Sequence, residues 1–113
     1  MKKTFLAIVL LSSAFAIAAP KHTEAQVYSY RLTMKAANQD LQNGNSQRAF
    51  LRIKFMAEQD FPEAQYLLGT LYEDGEGTKK DLTKAREWYT KAATQTANAE
   101  TATLAKQALA EMQ

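Results

Sequence analysis

Catalytic centres are mostly built from histidine, cysteine, serine and paired carboxylates, and this chain is poor in all of them. It has one histidine and no cysteine. His22 lies near the start, in a polar stretch without periodicity. Beyond residue 20 the serines are Ser29 and Ser46, and Ser46 sits where a helix N-cap is expected. An acid–base site made only of carboxylates needs two of them face to face in a dry pocket. Glu73, Asp74 and Glu76 cluster, but around Gly75 and Gly77, in what reads as an open, solvated loop. The same oxygens suggest calcium, yet their spacing is not that of an EF-hand, and Lys79 and Lys80 follow at once. No nucleophile–base pair is in sight. The chain is therefore not expected to be an enzyme, and no catalytic, metal or cofactor-binding residue is expected.

Two further groups invite a binding role. Trp88 and Tyr89 resemble a stacking platform, but Ala85, Ala92 and Ala93 share their helical spacing, which places them in a core. Arg48, Arg52 and Lys54 form a small basic cluster, with Arg48 and Arg52 one turn apart. It suits an acidic patch on a protein, or simply a solvated face. It is too sparse for a nucleic-acid groove.

The positioning elements begin after an export signal. Lys2 and Lys3 precede an apolar run from Phe5 to Ala19, and Ala16-Ile17-Ala18 gives the small-residue exit read by a signal peptidase. The run falls short of the ~20 residues that span a bilayer. Residues 1–18 are thus expected to be cleaved, leaving a mature chain from Ala19 with no stable membrane insertion, in the periplasm or secreted. Lys2 and Lys3 leave with the signal, so the 14 basic groups fall to 12, equal to the 12 acidic ones. The basic pI belongs to the precursor and does not indicate a nucleic-acid partner. An exported domain of this size often relies on disulfides. This one has none, and must rely on helix packing, completed by a partner or by a second copy as a homodimer.

Residues 19–25 read as a flexible leader, and 26–113 as one helical domain. Tyr30, Met34, Ala37 and Leu41 give the first helix, Gln26 to Leu41, one apolar stripe. Asn43-Gly44-Asn45 stops it. Ser46 is expected to cap a second helix, from Gln47 to Gln59, whose apolar residues include Ala49, Phe50, Ile53, Phe55, Met56 and Ala57. Asp60 is expected to cap the third, with Pro62 in its first turn and Ala64, Leu67, Leu68, Leu71 and Tyr72 on its apolar face. Asp81 caps a fourth, Leu82 to Thr94. A fifth, Ala99 to Glu111, would bury Thr101, Leu104, Ala105, Ala108, Leu109 and Met112. Its polar far side suits the end of a stack.

The chain repeats itself. A shift of 36 residues sets Ala49 on Ala85, Ile53 on Tyr89, Met56 on Ala92, Ala57 on Ala93 and Gln59 on Gln95. It also sets Leu68 on Leu104 and Tyr72 on Ala108. Helix pairs at such a period mean an all-α fold, a short α-solenoid of about five antiparallel helices.

Residues 57–96 then resemble the Sel1-like repeat, a tetratricopeptide-like unit known from exported bacterial proteins. Ala64, Leu68-Gly69 and Tyr72 match its first helix; Gly75-x-Gly77, Asp81, Ala85, Trp88-Tyr89 and Ala92-Ala93 match its loop and second helix. The resemblance weakens toward Gln26 and toward the C-terminus. Arg52-Ile53 stands where Trp-Tyr is usual, and Thr96 where the family turns with glycine.

The resemblance implies a right-handed superhelix and a protein partner held on the concave face. That face would be lined by Tyr28, Arg31, Lys35 and Asn38 from the first helix, and by Gln65, Tyr66, Thr70 and Glu73 from the third. Tyr28 and Tyr30 would anchor a peptide at its entry. The role expected is a periplasmic adaptor or an immunity-type binder. The alternative is a regulator or assembly factor for an envelope enzyme or polysaccharide machine, with a hydrolase the distant third.

Overall fold

Thr23 starts the first helix through a reciprocal pair of bonds. Its hydroxyl accepts from the Gln26 amide, and the Gln26 side chain accepts from the Thr23 amide, so two otherwise unpaired N–H groups are satisfied. The computed structural model describes residues 21–112, so the expected signal 1–18, with Ala19, Pro20 and Gln113, lies outside the described residues. Five helices follow: α1 (Glu24–Gln42), α2 (Ser46–Glu58), α3 (Pro62–Asp74), α4 (Leu82–Ala93) and α5 (Ala99–Glu111). Each packs on its predecessor, and α5 also reaches α3. No strand occurs among the described residues, and no helix there is long and apolar enough to cross a membrane. The fold is a short all-α solenoid.

Residues 21–25, within the stretch 19–25 expected as a flexible leader, make contacts with the domain. The helix already begins at Glu24, and the residues before it are docked. Lys21 pairs with Asp60 at 2.6 Å, while His22 stacks on Phe61 with ring centroids 3.9 Å apart. His22 Nε2 also lies 2.8 Å from the Gln59 carbonyl oxygen. These contacts hold the entry of α1 against the α2–α3 turn.

Two expected caps differ. Ser46 is the first residue of α2, and the N-cap is Asn45, whose side chain makes no capping bond. Asp60 does not cap α3; that position is Phe61. Asp60 instead takes a left-handed backbone (φ 73°) to close a tight turn, which aims its carboxylate at Lys21, Gln65 and Gln95. Lys21 bonding holds this carboxyl below the usual carboxylate range. Asp81 and Asn98 cap α4 and α5, each accepting an amide bond at 3.0 Å.

The core runs through α2, α3 and α4. Ala49, Ile53 and Met56 on α2 are buried, and so are their counterparts at +36 on α4: Ala85, Tyr89 and Ala92. The equivalence fails for α3 and α5. Leu68 is fully buried, whereas Leu104 is 42% exposed. The α4–α5 connection moves the register to 37, because α5 starts at Ala99, one residue past the +36 image of Pro62. At that register buried Ala64 matches buried Thr101, and Leu68 matches Ala105. One residue rotates a helix by about 100°, which turns Leu104 outward. The buried stripe of α5 is thus Thr101, Ala102 and Ala105, with Ala108, Leu109 and Met112 packed against the core more loosely.

Candidate protein-binding face

Arg31, Lys35 and Asn38 stand at i, i+4 and i+7 on α1, and all three are exposed. Beside that stripe on the helix, Tyr30, Met34, Ala37 and Leu41 pack on the core. None of the three enters an ion pair or side-chain hydrogen bond among the described residues. Tyr28, one turn earlier, is exposed as well.

The α3–α4 hairpin is more tightly built. Gly69 faces the Tyr89 ring: a Cβ there would stand 2.6 Å from both Cδ1 and Cε1. Only a residue without a side chain lets the two helices close to this distance. Tyr89 is buried, and its hydroxyl donates to Glu73 Oε1 at 2.7 Å. Burial and the Glu73 carboxylate together push that phenol well above its usual 10.0. Gly75 ends α3 in the left-handed conformation. Gly77 takes φ +74° against the start of α2, where a Cβ would overlap the Ser46 carbonyl oxygen. Trp88 is half-buried on the core, with the Lys91 ammonium 4.7 Å from its ring centroid.

Residues 62–96 match the family model for the Sel1 repeat. The chain carries a Sel1 repeat. Such repeats are generally protein–protein interaction modules. No curated protein and no solved structure matches the chain.

Every signature residue of the Sel1 unit has a packing or turning place. Ala64, Leu68, Gly69, Tyr72, Ala85, Tyr89 and Ala92 are buried; Trp88 and Ala93 are partly so; Gly75, Gly77 and Asp81 shape the connection. The third-helix half of the expected binding face divides. Gln65 is not on the surface at all: it is 2% exposed and donates to the Ala57 carbonyl and to Asp60 Oδ1. Gln95 donates back to Gln65 Oε1, which ties the α2–α3 turn to the end of α4. Tyr66, half-buried, leans on Tyr89 with centroids 5.6 Å apart. Thr70 is half-buried and donates to the Leu67 carbonyl. Glu73 lies in helix α3 rather than in an open loop, and its Tyr89 bond gives it an internal task.

Two other candidates are also absorbed by the fold. Tyr30 does not stand at an entry; it stacks on Phe61 at 4.3 Å and donates to Glu63 at 3.0 Å. Burial first, and Glu63 second, raise its phenol above the usual value. The basic cluster is partly neutralised within the chain. Asp40, 5% exposed, accepts from Arg52, with Arg48 3.9 Å away. Nothing in the sequence marked Asp40 as that partner, since it stands amid polar residues at the end of α1. No cluster of three potential metal ligands occurs among the described residues.

Proposed function

We propose that the chain is an exported adaptor that holds a partner protein against the exposed stripe of α1, with Tyr66 and Thr70 of the Sel1 unit alongside. The observation that carries this reading is the stripe itself. Arg31, Lys35 and Asn38 project at one-turn spacing from a helix whose other side is spoken for by the core. Two cations one turn apart suit an acidic surface on the partner. The export signal supports an extracytoplasmic site of action. Cleavage before Ala19 would spare Lys21 and His22, which the fold uses. Within that space the role is that of an immunity-type binder or of a regulator of an envelope enzyme, and the partner's identity separates the two.

The test is in-cell crosslinking and affinity capture of the processed chain, beside its Arg31→Glu/Lys35→Glu variant. One stoichiometric partner, lost with the variant, is the expected result. Recovery of the chain without a partner, or equal capture by the variant, refutes the stripe as the binding face. Mass spectrometry of the same sample reads the N-terminus, expected at Ala19 or within a residue or two.

A further inference from the structure

The largest apolar side chains left uncovered are concentrated at one end of the solenoid. Tyr28 and Leu32 of α1 are 66% and 53% exposed, and Leu51 and Phe55 of α2 are 64% and 60% exposed. On α1 they lie opposite Tyr30, Met34, Ala37 and Leu41; on α2 they lie opposite Ala49, Ile53 and Met56. Both stripes therefore face away from α3. Counting back from the three-residue turn Asn43–Asn45 sets Leu32 about level with Phe55, and Ala36 about level with Leu51. Together the four large side chains leave on the order of 400 Å² of apolar surface uncovered on these two neighbouring helices, taking about 150–250 Å² for a whole aromatic residue. The largest apolar patch on a monomer is often functional at about this size.

We infer that a second copy of this chain docks on the α1–α2 end face, antiparallel to the first. The α2 stripe reads Arg48, Leu51, Phe55, Glu58, with spacings of three, four and three, the seam of a helix made to pack on another helix. Ala25, Tyr28 and Leu32 begin the same spacing on α1. Apolar residues fill the middle of the α2 seam, while a cation closes its N-terminal end and an anion its C-terminal end. Two copies related by a two-fold axis across the helices bring Arg48 of each against Glu58 of the other, twice. Parallel packing would set like charges together. The seam is therefore complementary to itself in the antiparallel sense. Arg48 can serve, because Arg52 already bonds Asp40 and Arg48 lies only at the limit of an ion pair with it. Ala25, Ser29, Ala36 and Gln39 widen the contact toward the ~800 Å² per partner of a standard interface. Among the described residues, the far end of the solenoid exposes one large apolar side chain on α5, Leu104. On α5 Leu104 is flanked by Lys106, Gln107 and Glu111, so head-to-tail stacking finds no apolar counterpart. On α1 this face adjoins the stripe of Arg31, Lys35 and Asn38 through Tyr28, so the test places its substitutions at Arg48, Phe55 and Glu58 of α2, which that stripe does not include.

Sedimentation equilibrium of the purified, export-processed chain, from about 1 to 200 µM, reads the result directly. A concentration-dependent monomer–dimer equilibrium is expected. Phe55→Glu should weaken it about a hundredfold or more, because each substitution counts twice, with the helical circular dichroism unchanged. Arg48→Glu and Glu58→Arg should each weaken it about tenfold, and the double reversal should restore it to within about threefold. A chain monomeric throughout overturns the inference, whether the apolar run 5–19 or another protein then covers the face. So does a dimer indifferent to Phe55→Glu. Single reversals without effect, or a double reversal that fails to restore association, overturn the antiparallel arrangement.

Discussion

Gly69→Ala is the substitution whose sign tests the packing of the Sel1 unit. Gly69 lies inside α3, where alanine in place of glycine ordinarily stabilises a helix by about 1 kcal/mol. Here the new methyl would meet the Tyr89 ring at 2.6 Å. That ring cannot swing aside cheaply, because it is buried and its hydroxyl is held by Glu73 at 2.7 Å. Overpacking of this kind costs about 1–3 kcal/mol. Displacing the ring would also weaken a hydrogen bond to a carboxylate, about 1 kcal/mol once the partial exposure of Glu73 is counted. The balance is a loss of about 2 kcal/mol, which for a domain of this size lowers the melting midpoint by about 8–16 °C. Urea and thermal unfolding followed by circular dichroism measure it. In a Tyr89→Leu background the obstruction is gone, so the same alanine should be neutral or stabilising, and the double-mutant cycle should show coupling. A rise in the midpoint on Gly69→Ala alone refutes the close approach as the reason for glycine.

Arg52→Met should destabilise by about 2 kcal/mol, read as a lower urea midpoint. The 3–5 kcal/mol typical of a broken buried pair is reduced because the Arg52 side chain is 38% exposed and Arg48 can take its place. Adding Asp40→Asn should recover most of that loss, since the stranded buried charge is then gone. Alkaline titration of the phenols should leave Tyr30 and Tyr89 un-ionised after the ordinary transition near 10.0, so absorbance near pH 11 should correspond to fewer than the five tyrosines present. Both phenols are raised in the folded state, so their contribution to stability is complete below the unfolded value of 10.0 and is lost as pH climbs beyond it. Stability should therefore fall from about pH 10 upward. Full ionisation at that point by a chain still folded refutes the buried phenol–carboxylate pairs.

The legible part of the sequence was the part that packing constrains. Ala49, Ile53 and Met56 repeat as Ala85, Tyr89 and Ala92 because each pair fills the same slot between helices, and burial agrees at all six. The 36-residue period failed at Leu104 because helix length and connection length are set separately. A single further residue before α5 rotates its face without disturbing the composition from which periodicity is read. Side-chain hydrogen bonds were less legible still. Gln65 and Asp40 look like surface residues by type, yet both are buried with their polar atoms satisfied, Gln65 by Ala57, Asp60 and Gln95 and Asp40 by Arg52. Such bonds span 5 to 30 residues in the chain, and no local pattern announces them.

The same reasoning explains why the candidate residues lost exposure on α3 and kept it on α1. A first-of-pair helix inside a solenoid is gripped by the helices on either side. Gln65, Tyr66, Thr70 and Glu73 each acquired an internal contact; Gln65 is withdrawn from the surface, while Tyr66 and Thr70 keep a half-exposed side. A helix at the open end has a neighbour on one side only. On α1 the expected stripe stays exposed for that reason, and for the same reason Tyr28 and Leu32 are left uncovered beside Leu51 and Phe55. A solenoid of two and a half pairs has few internal helices in proportion to its ends, so a larger share of its surface is end surface. In this chain the end is apolar and bounded by opposite charges, whereas the stripe of Arg31, Lys35 and Asn38 is polar. Covering an apolar end is chiefly a gain in stability, and pairing two cations with an acidic partner is chiefly a gain in specificity and association rate. The two surfaces should therefore differ in their response to salt: the second should weaken steeply as ionic strength rises, and the first only as far as its Arg48–Glu58 pairs are screened.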